Sequence, residues 1–256
     1  MANNYTLGRG ELWFAPFIQN TQTPRGERYI GNSPELSITV ETENLDHYNS
    51  DRGVREKDES IALQTDRNGS FTTDNVDPEN LALFFFGSTT ALTDAGGTVE
   101  GEAIGPVEVG LTYQLGVSAN NPAGVRNVSA VAVTDGDATT YVLDTDYALD
   151  AELGRITILA GGAITDEAAL EADYTTEAST RERIVSGSQA IEGQLRYISY
   201  NPAGKQFDYL LPWVKITPNG DFALKGDEWQ TIPFSVEVLK KGNMQAVYID
   251  GRPMIA

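Results

Sequence analysis

The sequence predicts a mainly β protein with one α-helix, in which a small β-sandwich is inserted into a discontinuous parent domain. Three observations point there. Apolar and polar residues alternate at period two in many short runs. One segment alone carries both helix start and stop signals. The composition changes sharply between residues 91 and 180.

Taken in order, Glu11-Leu12-Trp13-Phe14 reads as a first strand, approached through Gly8-Arg9-Gly10. Leu36, Ile38 and Val40 alternate with Ser37, Thr39 and Glu41, the pattern of a strand with one buried face. Ile61 and Leu63 begin another, and Asn68-Gly69 predicts a hairpin turn into Ser70-Phe71-Thr72-Thr73. The helix follows. Asp77 is placed to cap it, Pro78 suits its first position, Glu79 favours its positive end and Gly87 can stop it. Leu81, Phe84 and Phe85 would form its core-facing stripe. Towards the C-terminus, residues 191–198, 209–216, 229–238 and 244–249 read as strands. Pro212 and Pro233 within them predict edges or bulges.

The composition shift divides the chain into 1–90, 91–180 and 181–256. Residues 91–180 hold 15 acidic and two basic residues, Arg126 and Arg155, and none of the Phe or Trp. A stretch with such different core material is expected to build a core of its own. Within it, residues 128–133, 141–143 and 155–159 alternate as short strands, separated by turns at Asp135-Gly136-Asp137, Leu153-Gly154 and Gly161-Gly162. That spacing predicts a small sandwich.

Composition also excludes functions. The net charge is -19, which disfavours ordinary nucleic-acid binding, because neutralising phosphates needs clustered Lys and Arg. With no cysteine there is neither disulfide nor thiolate chemistry. The first residues show no basic region followed by an apolar run, and no stretch nears the roughly 20 apolar residues of a spanning helix. Synthesis in a cytoplasm is therefore expected.

Catalytic constellations are weak. His47 is the single histidine, so any Ser-His-Asp arrangement must use it, and no G-x-S-x-G elbow supplies an activated serine. One His and no Cys do not make a zinc site. Asp135, Asp137, Asp144 and Asp146 are spaced closely enough to raise calcium, yet Ala148, Leu149 and Arg155 break the EF-hand pattern. They read as solvated turn carboxylates. The expectation is no enzyme, no metal and no cofactor.

Several segments together resemble the major tail tube proteins of siphophages, of the Mu-like temperate type. They are Gly8-Arg9-Gly10-Glu11-Leu12-Trp13-Phe14, Ile30-Gly31-Asn32-Ser33-Pro34-Glu35-Leu36, Leu45-Asp46-His47-Tyr48, Gly53-Val54-Arg55-Glu56-Lys57-Asp58, residues 80–87, and Gly226-Asp227-Glu228-Trp229-Gln230. The resemblance covers most of 1–90 and 185–256, and their order along one chain carries it. It implies a tail-tube β-sandwich, able to form a barrel across subunits, with one flanking helix and an inserted Ig-like decoration. It further implies homo-hexameric rings that stack into the tail tube of a virion, assembled in a host cytoplasm. Tail terminator, tape measure and tail-tip proteins would be partners, and double-stranded DNA would pass the lumen without specific binding. The acidic insert would project outward. The competing reading is a receptor- or carbohydrate-binding β-module of a tail tip. Against it, Trp13, Trp213 and Trp229 all fall in expected strands, where core packing would claim them.

Residues 41–58 read as a long, polar loop of mixed charge, a kind usually functional or disordered. The expectation is that Asp46, His47, Tyr48, Asp51, Arg52, Arg55, Glu56, Lys57 and Asp58 hold a neighbouring subunit or the next ring through ion pairs and hydrogen bonds.

Overall fold

In the computed structural model, which describes residues 4–51, 53–137 and 139–253, the protein is mainly β with one helix. The elements run β1 (Gly10–Pro16), β2 (Arg28–Tyr29), β3 (Glu35–Asn49), β4 (Glu56–Thr73), α1 (Pro78–Phe84), β5 (Ser88–Asp94), β6 (Gly97–Val107), β7 (Thr112–Gln114), β8 (Val128–Thr134), β9 (Tyr147–Asp150), β10 (Arg155–Ile158), β11 (Ala168–Thr176), β12 (Ser179–Val185), β13 (Ile191–Ser199), β14 (Phe207–Pro218), β15 (Ile232–Val238) and β16 (Tyr248–Gly251). They form two units, Met1–Thr90 with Arg183–Ala256, and Ala91–Glu182. The chain leaves the first and returns to it along a two-stranded ribbon of β5 and β12.

The first unit is one sheet in the order β2-β1-β13-β14-β15-β4-β3, with β16 pairing on β14. Its strands carry apolar residues at alternate positions, so one face collects Leu12, Phe14, Phe71, Leu195, Val214 and Phe234, all buried. The rings of Phe71 and Phe234 stack with centroids 4.9 Å apart across paired strands. Helix α1 covers one end of this face. Its Asp77 cap accepts from the Asn80 backbone N–H at 2.7 Å. The Asn80 side chain is fully buried and fully used: its amide donates to the carbonyls of Ile30 (2.7 Å) and Asn75 (2.9 Å), and its oxygen accepts from Arg28 (2.7 Å). Burial lowers the Arg28 pKa, against the pull of Asp77 and Glu79. The helix thus pins the β2–β3 connection across the sheet, since a buried amide left unpaired costs about 1–3 kcal/mol.

Four expectations for this unit change. Asn68-Gly69 is not a turn but lies inside β4, because β3 stays paired with it well past this point, Thr39 opposite Asn68 and Ile38 opposite Gly69. Glycine is required there for another reason: a Cβ at Gly69 would meet the Ser37 carbonyl oxygen at 2.6 Å. On the helix, Phe84 packs but Phe85 is exposed, and Asn80, Ala82 and Leu83 are the buried residues, because the helix stops at Phe84 and Phe85 is its C-cap. Trp229 precedes β15 and is 94% exposed, whereas Trp13 and Trp213 are half-buried in strands. The strand begins only at Ile232, after an exposed Gly226-Asp227-Glu228 run. The strand expected over 244–249 is confined to Tyr248–Gly251.

The second unit packs two three-stranded sheets, β7-β10-β9 and β6-β11-β8, on one core. Ile156, Ile158, Leu115 and Tyr147 from the first meet Ile104, Leu170, Val133 and Tyr174 from the second. Glu102 accepts from the Tyr174 hydroxyl at 2.5 Å and from the Gly116 N–H at 2.8 Å. Burial, followed by that carboxylate, raises the Tyr174 pKa far above its ordinary value. Residues 141–143, expected as a strand, form turns and isolated bridges instead. The reason is Asp146, which is buried and not a solvated turn carboxylate. It accepts from the Val142 and Ala163 N–H groups, both at 2.7 Å, and folds the backbone around itself. These two bonds hold its pKa below the ordinary aspartate value.

The core of the first unit depends on the Phe71–Phe234 stack. Replacing Phe71 with Ala should cost about 3–5 kcal/mol, whereas Leu63→Ala, on an exposed stretch of the same strand, should stay within about 0.5 kcal/mol. Denaturant unfolding of the two variants separates them; equal losses would mean that the exposed part of β4 is integral to the core.

Candidate interaction surface

Strands β3 and β4 outrun the sheet they belong to. The partner of β4 on its other side, β15, stops pairing at Asn68, but β3 and β4 continue together as a two-stranded arm to Asn49 and Glu56. From Thr39 to Asn49 this is roughly 35 Å of extended chain at ~3.3 Å per residue. The segment 41–58, expected as a loop, is therefore mostly strand, with only residues 50–55 connecting. Polar and β-branched residues paired in register satisfy the backbone, which is why so polar a segment need not be a loop.

The arm has no core beneath it. Across residues 37–66 every described residue is exposed except Asp46, which is half-buried. Its apolar side chains are therefore in the open. Ile38 and Val40, on the face that Leu36 and Phe71 use for the core, were expected to be buried, but Val40 is 60% exposed. Farther out, Leu45 and Ile61 are cross-strand partners on the opposite face, and Leu63 stands in the bulge beside them. Cross-strand apolar pairs support the hairpin locally by a few tenths of a kcal/mol to about 1 kcal/mol. An isolated two-stranded ribbon of this length is otherwise marginal in water.

The candidate residues gather at the far end of the arm, where they bind one another. Lys57 Nζ lies 2.7 Å from Asp46 Oδ1, which also accepts from Ser60 Oγ at 2.6 Å. His47 Nδ1 lies 2.6 Å from Asp58 Oδ1. The guanidinium of Arg55 stands 5.1 Å over the Tyr48 ring. Asp51 donates its backbone N–H to Asn49 Oδ1 at 2.9 Å; Glu56 is exposed opposite Asn49. Arg52 falls outside the described residues. Asp46, Lys57, His47, Asp58 and Arg55 thus have partners within the arm, while its apolar side chains stay uncovered. Sequence reasoning read the Leu36-Ile38-Val40 alternation as burial; the signal for exposure was that Leu45, Val54, Ile61 and Leu63 stand isolated among many charged residues.

The same geometry separates the groups a triad would need. His47 shares a face with Glu59, and Ser60 shares the other with Asp46. Among the described residues no group of three or more His, Asp or Glu is disposed to hold a metal. No helix is long and apolar enough to cross a membrane, among the same residues.

A second feature of the first unit is a cavity of about 660 Å³ on the sheet face that α1 leaves bare. Leu12, Leu195, Tyr197, Tyr209, Leu211 and Val238 line it from the sheet, and Asn32-Ser33-Pro34 from the β2–β3 connection. Tyr197 and Tyr209 meet edge to face, 5.9 Å between centroids. Burial raises the Tyr197 pKa, so its hydroxyl is neutral and a donor at neutral pH. The only charged lining residue is Arg9.

A family model described as "Protein of unknown function UCP028589" matches residues 5–246, a span that takes in the whole of the second unit and most of the first. Comparison with curated proteins finds no match.

The bond from Lys57, followed by that from Ser60, holds the Asp46 carboxyl below the ordinary aspartate range. This support to the arm is full above that range and is lost as pH falls through and below it. An NMR titration should find Asp46 protonating at low pH, and Lys57→Ala should move it upward. An unchanged titration in the variant would remove the pair from the account of the arm.

Proposed function

The chain belongs to this family of unknown function, which assigns it no chemistry, and we propose that it is a structural, self-assembling subunit: the tail tube protein of a long-tailed phage virion. One observation carries the reading. A paired arm roughly 35 Å long leaves its own core with Ile38, Val40, Leu45, Ile61 and Leu63 exposed. Exposed apolar residues aligned on an uncapped sheet edge invite another chain, and a monomer would ordinarily blunt them. An arm that lies on a neighbouring subunit covers both faces and accounts for its length.

Heterologous contacts of this kind close into rings when the rotation permits, and rings stack along their axis. Six copies per ring, closing their sheets into a common barrel, are what the resemblance of the strand segments suggests. The arm then holds the neighbouring copy or the next ring through its apolar faces, with the ion pairs at its far end stiffening the hairpin. That differs from the sequence expectation, in which Asp46, Lys57, His47 and Asp58 made the contact themselves. The charge of -19 suits a conduit for double-stranded DNA, which would slow on a lumen rich in Lys and Arg. Tail terminator, tape measure and tail-tip proteins would bound such a tube. No enzymatic activity is part of the proposal.

A carbohydrate-binding reading has one observation in its favour, the exposed Trp229. Glycan-array binding that Trp229→Ala abolishes would support it.

Negative-stain microscopy of the purified protein across a concentration series should show six-fold rings or hollow tubes. The double variant Leu45→Ser/Ile61→Ser should stay folded and form neither rings nor tubes. Tubes from the double variant as readily as from the unaltered protein would sink the role of the arm; wild-type monomers at every concentration, together with glycan binding, would sink the tube.

A further inference from the structure

We infer that Trp229 of one copy seats in the apolar cavity beside Tyr197 and Tyr209 of a second copy, joining subunits head to tail. This rests on the reading of the chain as a self-assembling subunit and names a contact within it that is separate from the arm.

The knob is unusual. Trp229 is 94% exposed and Leu224, on the same connection, is 78% exposed, while the tryptophans in strands are sheltered. Tryptophan is the residue most concentrated at the centres of interfaces, because it removes a large apolar area from water at little conformational cost. Leaving it bare has no counterpart in the core. The loop around it is held in place. Gln230 donates to the Ala223 carbonyl at 2.9 Å, and Phe222 tilts against Phe84 of the helix. The indole is therefore presented from a fixed base, which lowers the entropy lost on docking.

The hole matches in size, chemistry and charge. Its volume of about 660 Å³ falls in the range of sites that hold drug-sized molecules, so an indole and its neighbours fit within it. Leucine, valine and tyrosine side chains supply apolar and edge-to-face contacts for an aromatic ring. Tyr197 and Tyr209 bring hydroxyls able to accept from an indole N–H. Arg9, the single charged lining residue, donates to the Gly8 carbonyl at 2.9 Å and enters no ion pair among the described residues. Asp227 and Glu228, directly before Trp229, are exposed and likewise without an ion pair there. A cation at the hole and two anions at the knob set the orientation of docking and favour this partner over others in so acidic a protein.

The occupant must come from another copy. Trp229 lies beside Asp74 and Val76, before β15 begins, whereas Val236 and Val238 line the cavity at the other end of that strand. Ile232–Val238 spans about 20 Å. Within its own molecule Trp229 is 94% exposed and does not line the cavity, so the knob that fills the hole is a second copy's, and between molecules the two form a heterologous contact that propagates.

The test uses two variants of the whole chain, each checked for folding by circular dichroism. Trp229→Ala removes the knob; Gly8→Trp, at an exposed position lining the cavity where an added Cβ meets nothing within 4 Å, obstructs the hole. In sedimentation velocity each variant alone should need a protein concentration roughly 30-fold higher to associate, the effect of losing about 2 kcal/mol of contact. A 1:1 mixture should recover association at the wild-type concentration, since each partner retains one half of the contact. Trp229→Ala that associates like wild type, or a mixture of folded variants that stays monomeric, would overturn the contact. The two readings fail apart: tubes from Trp229→Ala leave the tube standing without this contact, and Trp229-dependent head-to-tail chains without rings keep the contact and remove the tube.

Discussion

Strand length against core size is the constraint on which the rest of this structure depends. The sheet of the first unit has a core only as long as α1, the β2–β3 connection and the inward faces of β1, β13, β14 and β15 can fill. Two of its strands ignore that limit. Where β15 stops, β3 and β4 lose their outer partner and their cover together, yet they keep pairing to Asn49 and Glu56. The arm that results spends apolar side chains on surfaces that nothing in the molecule covers. Burial of such side chains is what offsets the entropy of ordering a strand. In the proposed assembly, a like copy presenting sheet faces of its own supplies that burial.

The same limit explains the cavity. Helix α1 is short because Asp77 and Pro78 start it and the Phe85 cap ends it within two turns. It can shield only the half of the sheet face that Asn80 anchors to Ile30. The other half keeps Leu12, Leu195, Tyr197 and Leu211 around an unfilled volume. Packed interiors rarely leave such space, since lining atoms forgo contacts on the empty side. Arm and cavity are thus two consequences of one shortage of core-building material in the first unit.

Much of this was legible in the sequence, and the failures have a common cause. The period-two runs at Leu12-Phe14, Leu36-Val40 and Ile232-Val238 named strands because alternation follows from backbone geometry alone. Asp77-Pro78-Glu79 named the helix start because caps are local chemistry, and Asp77 does accept from Asn80. A composition break at 91–180 lies close to the unit spanning Ala91–Glu182, since each core draws on its own side chains. What local pattern could not convey was cover. Ile38 and Val40 alternate just as Leu12 and Phe14 do, but burial depends on what stands opposite, which is decided by distant parts of the chain. The Asn68-Gly69 pair has the form of a turn; the pairing of Thr39 and Ile38 across from it overrode that preference. Trp229 was assigned to a core for its apolarity, though its neighbours Asp227 and Glu228 already argued for solvent. Asp46, Lys57, His47 and Asp58, expected to hold a neighbouring copy, pair with one another within the arm.

Charge finally bears on how such a molecule can associate at all. With a net charge of -19, copies repel one another once they come within about 10 Å, the screening distance at moderate salt. General stickiness is thereby suppressed, and only contacts that are apolar at the centre, or that pair a rare cation with an acid, overcome the repulsion. Among the exposed groups meeting those conditions are the two faces of the arm, the indole of Trp229 with its acidic neighbours, and the cavity with Arg9 at its wall. An acidic surface therefore acts as a filter on geometry. It penalises every arrangement of copies except those that bring these particular surfaces together, and in doing so it lets a protein with exposed apolar strands remain in solution until the right neighbour is in place.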